Sequence, residues 1–490
     1  MSDPASPQTP ARSRATALTG SRAGATASLL AVAILLLAVA TAVAVRWPWQ
    51  RSEEGPVTFP DVTATPSWLA ERLGDRSVVV VDARSAAEYS EGHIPGAISV
   101  PASVLGLDDR IDPFEICSSM GQLGLTGRGR IVCCGGGRLD ASAAALFWAL
   151  DVAGAEGPML LEGGFEAWDA GGRPRETSAS TRPPAAWSGG PRPDRLASAA
   201  YVALVFGADG HEIIDTRGWD EWAGELDEGS WGTRARVGHI PHALPYDFSE
   251  FRGTDDMLLP PEETRETFSR TGPRPSTPVD LGDEFIVHGR GGTDGATGYY
   301  LLRRAGMERL RYFQAGWSLW KSDHSLPVVR IVSPDELAQR VAGERRWLRP
   351  DAPPRNFVLF DVRHWGDHAT GHIPGAVGLS SSFFADSLDV YLARDWPDID
   401  RSSTPVVTYC YGSNCIRSRN TATQAARRGF TYVERFYQGI EGWRLVGGEL
   451  LRDEERLEAM RREYEKARRE AEEKREAGNG KPEQPTDDGG

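Results

Sequence analysis

The chain has 490 residues, of which 40% are hydrophobic and 25% are charged, so its composition is that of globular protein and excludes a wholly disordered or fibrous one. This length predicts about three domains of ordinary size. The formal charge of −14 excludes a typical nucleic-acid-binding surface, because phosphate neutralisation requires clustered Lys and Arg. Five cysteines without paired C-x2-C motifs are too few for a disulfide scaffold or a structural zinc site.

An uncharged apolar segment lies near the N-terminus. Residues 29–45 read LLAVAILLLAVATAVAV and, with the uncharged residues before them, are long enough to cross a bilayer as a helix. Arginines precede the segment, whereas the arginines after it are offset by two glutamates, so the positive-inside rule places residues 1–28 in the cytoplasm. A cleaved signal peptide ending at residues 42–44 is the alternative. Both interpretations predict that the remaining chain is exported, and an uncleaved single-pass anchor would hold it on the periplasmic side of a membrane.

The exported part repeats one sequence unit three times. Each copy has an apolar β-branched run that ends in Asp-x-Arg, an acidic and aromatic stretch, and the tetrapeptide Gly-His-Ile-Pro. A second apolar run, a glycine-containing loop, a helical pattern and a segment of the form Gly-x-x-x-Trp follow. The Asp-x-Arg residues are Asp82 and Arg84, Asp215 and Arg217, and Asp361 and Arg363. The periods are domain-sized, so the sequence predicts three tandem domains.

These repeats predict the layout of the chain. The domains are expected at 57–175, 196–328 and 329–450, with a Pro-rich linker at 176–195. Short apolar strands alternate with helical patterns in each domain, which predicts an α/β fold with a central parallel sheet and helices on both faces.

A charged helix at 451–477 and a disordered tail at 478–490 are expected after the third domain. A thin apolar stripe makes the helix a candidate for a protein partner or for self-association as a short coiled coil. A solvated single helix is the alternative.

The third copy carries two cysteines in its loop. Residues 406–418 read VVTYCYGSNCIRS, with Cys410 at the end of the apolar run and Cys415 further along the loop. A strand-loop-helix turn points backbone N–H groups inward and adds the positive helix N-terminus, so the loop favours an anion and lowers the pKa of a thiol. Three roles remain open for Cys415. It is a resolving thiol or disulfide partner for Cys410, the nucleophile itself, or a small residue that fills the loop.

The Asp-x-Arg strand end, the Gly-His-Ile-Pro turn, the cysteine loop and the Gly-x-x-x-Trp segment together resemble the rhodanese family of sulfurtransferases. The resemblance covers about residues 57–450. It implies that a loop cysteine takes sulfane sulfur from a small anionic donor such as thiosulfate and carries it as a persulfide. The acceptor would be a thiol or a cyanide-like molecule, and neither a metal nor an organic cofactor would be required.

The resemblance makes the third domain the candidate active one. Cys410 stands at the nucleophile position, and Arg417 resembles the arginine that closes the family's loop and binds an anionic donor. The predicted substrate-binding loop consists of Tyr411, Gly412, Ser413, Asn414, Ile416 and Ser418. Ser418 is also expected to cap the following helix.

The loop between Cys410 and Arg417 has two residues more than the usual family loop. A wider loop leaves phosphatase or arsenate reductase activity as an alternative function. A non-catalytic binding or redox-sensing module, in which Cys410 and Cys415 cycle between dithiol and disulfide, is the other alternative.

The first two copies keep less of this chemistry. In the second, Gly289 stands at the nucleophile position and Asp294 where Arg is expected, so no thiolate can form there. In the first, strand alignment puts Cys134 at the nucleophile position, whereas counting from Cys133 places Arg138 at the end of a loop of normal length. Neighbouring strand residues point to opposite faces, so at most one of these cysteines faces the loop. The three residues form a candidate second site.

The other repeated residues are interpreted as structural. Each Asp-x-Arg pair is expected to fix the turn after its strand, and each Gly-His-Ile-Pro histidine to plug a turn. The histidines are His93, His239 and His372, and they belong to separate domains and therefore cannot form one metal site. An isolated strand-end histidine, His288, is also expected to be structural.

Overall fold

The structure is a computed structural model that describes residues 59–101, 112–225, 236–251, 258–270, 279–343, 357–459 and 462. The predicted N-terminal segment 1–28, the predicted anchor 29–45 and the tail 478–490 lie outside these ranges. Of the predicted charged helix 451–477, residues 451–459 and 462 are described; residues 454–459 and 462 are helical, whereas 451–453 are not, so the predicted start is three residues too early. Within the described ranges, no helix combines the length and the apolar character that crossing a bilayer requires.

The first repeat forms a five-stranded parallel sheet. Its strands are Thr63–Ala64 (β1), Val78–Asp82 (β2), Ile98–Ser99 (β3), Arg130–Cys134 (β4) and Gly157–Leu161 (β5). Its helices are Pro66–Ala70 (α1), Ala86–Glu91 (α2), Pro113–Gln122 (α3), Ala141–Val152 (α4) and Gly164–Ala170 (α5). The strand order is β1-β5-β4-β2-β3, and every pairing is parallel. Helices α3 and α4 pack on one face of the sheet, and α1, α2 and α5 pack on the other.

The second repeat has a four-stranded parallel sheet. Its strands are His211–Asp215 (β6), Leu244–Pro245 (β7), Glu284–His288 (β8) and Leu310–Tyr312 (β9), in the order β7-β6-β8-β9. Its helices are Ala199–Val205 (α6), Trp219–Ala223 (α7), Pro261–Arg270 (α8), Ala296–Arg304 (α9) and Gly316–Ser322 (α10).

The third repeat returns to five parallel strands. They are Val328–Ile331 (β10), Val358–Asp361 (β11), Val377–Gly378 (β12), Val406–Tyr409 (β13) and Tyr432–Phe436 (β14), in the order β10-β14-β13-β11-β12. The helices are Pro334–Val341 (α11), Trp365–Thr370 (α12), Phe384–Asp395 (α13), Arg417–Arg427 (α14) and Gly439–Leu445 (α15). The predicted α/β fold with three parallel sheets is therefore confirmed.

A buried ion pair closes the first long strand of each repeat. Arg84 Nη2 donates to Asp82 Oδ2 at 2.6 Å and to the carbonyl of Gly92 at 2.8 Å. Equivalent contacts join Arg217 to Asp215 and Gly238, and Arg363 to Asp361 and Gly371. All three carboxylates are fully buried. The arginine thus ties the strand end to the Gly-His-Ile-Pro turn, which confirms the structural interpretation of these residues.

The histidine of each Gly-His-Ile-Pro turn bonds back to the preceding helix. His93 Nδ1 lies 2.9 Å from the carbonyl of Tyr89. The other two turns repeat this contact, His239 with Trp222 at 2.8 Å and His372 with His368 at 3.0 Å. The described residues contain no group of three metal-ligating side chains. The histidines therefore hold turns in three separate domains.

The second domain lies between the other two. One hydrophobic cluster joins it to the first domain, where α9 packs on α4. Asp151 of the first domain pairs with Arg303 at 3.0 Å across this contact. A second cluster joins it to the third domain, where Arg419 on α14 pairs with Glu212 on β6 at 3.1 Å. Both interfaces therefore combine an apolar core with charged contacts.

We expect Asp361→Asn to destabilise the third domain by about 3–5 kcal/mol, because it leaves the buried Arg363 guanidinium without its counter-charge. Burial alone would raise the pKa of Asp361, but hydrogen bonds from His368 and Arg363 hold it below its usual value. The stabilisation is then complete above the unfolded-state pKa of about 3.9 and is lost as the pH falls through the lower folded-state pKa. Urea unfolding between pH 7 and pH 3 measures both effects.

Asp389→Asn is the matched control, since this carboxylate pairs with Arg401 at 2.7 Å on the surface and is half-exposed. It should cost no more than about 1 kcal/mol. Equal losses in the two variants at pH 7 would show that the buried pair does not fix the strand end.

Candidate active site

The loop of the third repeat, residues 410–416, connects β13 to α14. Its first residue, Cys410, is 1% exposed. Among the other predicted loop residues, Gly412 and Ser418 are buried, Ser413 and Ile416 are half-buried, and Tyr411 and Asn414 are exposed. The loop therefore presents a tyrosine and an asparagine to solvent above a buried sulfur atom.

A disulfide bond joins Cys410 to Cys415, with the Cα atoms 6.2 Å apart. Cys415 is half-buried, and its amide donates to the carbonyl of Gly412 at 3.0 Å, which folds the loop back on itself. The structure thus brings the two predicted thiols into covalent contact. Of the three roles left open for Cys415, this contact favours the disulfide partner.

The loop is held from one side by helix α15. Ile440 N–H donates to the carbonyl of Cys410 at 3.1 Å, and Glu441 N–H donates to the carbonyl of Tyr411 at 3.0 Å. Gly439, at the start of the helix, has φ +55°, and a Cβ there would overlap the carbonyl oxygen of Cys410. Only glycine allows this backbone conformation and this close approach. The Gly-x-x-x-Trp segment therefore supports the backbone of the cysteine loop, and we call this contact the seating of the loop.

Ser418 does not cap the following helix, so this prediction is wrong. Helix α14 begins at Arg417, and Ile416 is its N-cap residue because the amide of Asn420 donates to the Ile416 carbonyl at 3.1 Å. Ser418 lies inside the first turn with its hydroxyl buried, where it accepts a hydrogen bond from Arg435 Nε at 3.0 Å.

Arg435 lies on β14 beneath the loop. Its Nη2 atom donates to the carbonyl of Cys415 at 3.4 Å, and its side chain is almost completely buried. The corresponding strand positions of the other repeats hold Leu160 and Tyr312, which pair with the same position of the neighbouring strand. A charged residue at a buried strand position that is neutral in both sister repeats was the available sequence signal for Arg435.

Arg417 and Tyr411 form the mouth of the loop. The Arg417 guanidinium is exposed and lies 5.7 Å from the centroid of the Tyr411 ring. Tyr411 Oη donates to Asp367 Oδ2 at 2.5 Å. Partial burial and this bond to Asp367 raise the pKa of Tyr411. The predicted anion-binding arginine therefore stands at the solvent side of the loop, beside a neutral phenol.

Hydrogen bonds match the three repeats position by position. The residue that follows the strand accepts a bond from the second residue of the next short helix. These acceptor and donor pairs are Cys410 with Ile440, Gly289 with Trp317, and Gly135 with Phe165. Gly135, rather than Cys134 or Cys133, therefore corresponds to the nucleophile position.

Cys134 is the last residue of β4 and pairs with Asp82, as Tyr409 in the third repeat pairs with Asp361. The prediction for the nucleophile position of the first loop is therefore wrong. Cys134 lies one residue before that position, and Cys133 lies two residues before it. Loop length could not reveal this error, because the first loop has a different length and the strand end is defined by pairing.

The candidate second site is not assembled. Cys133 and Cys134 are both fully buried, and they lie in hydrophobic clusters on opposite faces of the sheet, as strand geometry predicts. Burial raises the pKa of both thiols. Arg138 is exposed on the loop. The first loop therefore carries no thiol at its nucleophile position.

In the loops of the first two repeats an aspartate turns inward. Asp140 Oδ2 accepts a hydrogen bond from the amide of Gly136 at 3.1 Å, and Asp294 Oδ2 accepts one from the amide of Arg290 at 2.8 Å. Both aspartates lie five residues after the first loop residue, Gly135 or Gly289, as Cys415 lies five residues after Cys410. The place of the second sulfur atom is thus taken by a carboxylate.

His288 is a buried strand-end residue. Its Nδ1 atom lies 3.1 Å from the carbonyl of Gly289 and its Nε2 atom 3.6 Å from Asp215 Oδ2. Burial lowers the pKa of His288. The histidine packs against the Asp215–Arg217 ion pair, whose geometry recurs in the other two repeats. This position agrees with its structural interpretation.

Comparison with known proteins identifies related chains. The family model described as Rhodanese-like domain matches residues 65–171, 198–323 and 334–445. A probable 3-mercaptopyruvate sulfurtransferase of Pseudomonas aeruginosa is 30% identical over 283 residues, covering 54% of this chain and 96% of that protein. A thiosulfate sulfurtransferase of the same organism is 29% identical over 279 residues, covering 54% and 95%. A solved 3-mercaptopyruvate sulfotransferase structure from Escherichia coli has 25% identity and a TM-score of 0.44, covering 52% of this chain and 98% of that one.

We expect Gly289→Cys to destabilise the second domain by about 1–3 kcal/mol, because its Cβ would overlap Asp294 Oδ2. Adding Asp294→Ala to this variant should recover part of the loss, since it removes the carboxylate. The matched control is Gly218→Cys, which meets no heavy atom within 4 Å and should change stability by less than about 0.5 kcal/mol. Thermal unfolding of these proteins and of Asp294→Ala alone measures the coupling, and equal stability of the two cysteine variants would contradict it.

Proposed function

The chain belongs to the rhodanese-like family of sulfurtransferases, and from this premise we propose that its third domain carries sulfane sulfur as a persulfide on Cys410. One observation carries the proposal. All three loops are seated in the same way, and only the third places a sulfur atom where the others have Gly135 and Gly289. The first two domains then act as a scaffold.

The first step is the attack of the Cys410 thiolate on the outer sulfur atom of a thiosulfate-like donor. A Cys410 Sγ–S bond forms, the S–S bond of the donor breaks, and sulfite leaves with the electron pair. The loop amides and Arg417 stabilise the leaving anion and the persulfide. The Pseudomonas relative named as a probable 3-mercaptopyruvate sulfurtransferase makes 3-mercaptopyruvate a second candidate donor. The C–S bond of this donor would break, and pyruvate would leave as its enolate.

The outer sulfur atom can leave the persulfide by two routes, an external exit and an internal exit. An external thiol or cyanide-like acceptor can attack its outer sulfur atom and regenerate the Cys410 thiolate. Alternatively, the Cys415 thiolate attacks Cys410 Sγ, so that the disulfide forms and hydrosulfide leaves. The disulfide of the structure supports the second exit. A dithiol reductant must then supply two electrons to reopen the pair.

The disulfide also favours a second candidate function, a thiol-disulfide redox module without sulfur transfer. The enlarged loop leaves phosphatase or arsenate reductase activity as a further candidate. Neither requires a metal or an organic cofactor.

We propose that residues 29–45 anchor the chain as a single membrane pass and that the three domains face the periplasm. An oxidising compartment would favour the Cys410–Cys415 disulfide, which is consistent with this location. The charged C-terminal helix is proposed as a surface for a protein partner or for self-association. Cysteine accessibility labelling of whole cells with a membrane-impermeant reagent tests the location.

We expect mass spectrometry of the peptide that contains Cys410 and Cys415 to show distinct products after the reduced full-length chain is treated with thiosulfate or 3-mercaptopyruvate. Cys415→Ser should retain one additional sulfur atom on Cys410, because the internal exit is removed. The wild-type chain should form the disulfide and release sulfide, and Cys410→Ser should do neither.

Cys117→Ser is the matched control, since Cys117 lies on α3 of the first domain, and it should behave as wild type. If Cys415→Ser gains no sulfur with either donor while the wild-type pair cycles in a redox buffer, the redox module replaces the sulfurtransferase. Turnover of an aryl phosphate or arsenate that depends on Cys410 would support the enlarged-loop alternative instead.

A further inference from the structure

Arg435 is a buried cation that has no ion-pair partner in the described chain. Its Nε and Nη2 atoms donate to two neutral oxygens, Ser418 Oγ at 3.0 Å and the Cys415 carbonyl at 3.4 Å. Its guanidinium also lies 4.9 Å from the Tyr437 ring. Only 2% of Arg435 is exposed. Burial of an unpaired charge is costly, so an arginine here implies that an anion occupies its surroundings in some state of the protein.

The neighbouring residue Glu434 does not supply this anion. Adjacent strand residues point to opposite faces, and Glu434 is paired with Arg330 and Arg340 at 2.6 Å each. Burial raises the pKa of Glu434, but the attraction of Arg330 and Arg340 outweighs this effect and holds the pKa at about 2. The charges on the Glu434 face of β14 therefore pair with each other. The Arg435 side chain lies on the opposite face, toward α14.

Helix α14 adds positive potential at the same place. It has 11 residues, its N-terminus lies at the loop, and its first turn contains no acidic side chain. The N-terminal amides of a helix stabilise a negative charge, and so does a guanidinium. Two cationic features thus converge on the loop that carries the two sulfur atoms.

The other charged groups around the loop are already engaged or lie at its rim. They are Arg417 on α14, Glu441 on α15, Asp361 and Arg363 after β11, and Asp367 on α12. Asp361 pairs with Arg363, and Asp367 accepts from Tyr411. Glu441 lies against Gly412 on the side of the loop that faces α15. Arg419 turns away to Glu212 of the second domain.

The sister repeats show the opposite distribution of charge. Their loops carry an aspartate at the position of Cys415, namely Asp140 and Asp294. Beneath these loops the strand positions are neutral, Leu160 and Tyr312. Tyr312 only braces its loop, donating to the carbonyl of Gly292 at 2.8 Å. In the third repeat the fixed anion is replaced by a cysteine and the neutral residue by an arginine.

We propose that Arg435 is a positioning residue that stabilises the thiolate of Cys415. In the reduced loop, the Cys415 thiolate takes the place of the aspartate carboxylate of the sister repeats, and Arg435 supplies the charge that those repeats lack. This inference rests on the proposed function, in which the same thiolate attacks the Cys410 persulfide and leaves again when a dithiol reductant opens the disulfide. An acidic Cys415 thiol makes both steps faster at neutral pH.

The test is the pH dependence of alkylation of Cys415 in the full-length Cys410→Ser protein, followed by mass spectrometry of its peptide. With Arg435 in place, Cys415 should titrate at least one pH unit below the ordinary thiol value of about 8.5. Arg435→Gln keeps hydrogen-bond donors but loses the charge, and it should slow alkylation at pH 7 about tenfold. Arg435→Lys keeps the charge and should remain within about threefold.

The matched control is Arg428→Gln, which removes a surface guanidinium paired with Asp389 at the far end of α14 and should change the rate less than twofold. An ordinary Cys415 pKa in the Arg435 protein overturns the proposal, and so do equal shifts in the Gln and Lys variants. If Arg435→Gln does not fold, the titrations of the Arg435 and Lys proteins decide the matter, and both must show an acidic thiol. No sulfur donor is used, so a chain that fails to transfer sulfur can still pass this test.

Discussion

The site depends on one constraint, the seating of the loop on helix α15, which follows β14. Two carbonyls of the loop accept hydrogen bonds from the first amides of that helix, and Gly439 makes the approach possible by adopting φ +55°. The other repeats use Gly164 and Gly316, at φ +58° and +56°, in the same way. Because this contact fixes the backbone, the direction in which the first loop side chain points is set by the fold. Chemistry can then change at that position without a change in architecture.

The chemistry that varies is concentrated in three positions. The first loop residue is Gly135, Gly289 or Cys410, and the inward residue near the helix start is Asp140, Asp294 or Cys415. The strand position beneath the loop completes the set with leucine, tyrosine or Arg435. In the first two loops a carboxylate of the chain itself accepts a hydrogen bond from a loop amide. The third loop instead places two sulfur atoms beside Arg435 and the N-terminus of α14.

Much of this arrangement could be predicted from the sequence. Threefold repetition, the Asp-x-Arg strand ends and the alternation of apolar runs with helical patterns were sufficient for the fold and for placing Cys410 and Arg417 at the two ends of one loop. The register of the first loop was not accessible, since the end of β4 depends on the pairing of Cys134 with Asp82, and a run of two cysteines and three glycines contains no periodic signal. The start of α14 was misplaced because it depends on the Ile416 carbonyl and not on a capping side chain. The contact of Arg435 with the loop joins residues whose proximity only the folded sheet creates.

The second domain has no thiol in its loop, yet the position of helix α14 in the third domain depends on it. Helix α14 packs on its own sheet with one face, and on the other Arg419 reaches Glu212 of β6 and the carbonyl of His242 at 2.7 Å. Thr423 of the same helix lies close to Gly207, where a Cβ would overlap its methyl group. A helix held on both faces has little freedom to shift its N-terminus relative to the loop and to Arg435. The second domain therefore helps to fix the position of α14 through its fold and its surface, whatever residues its own loop carries.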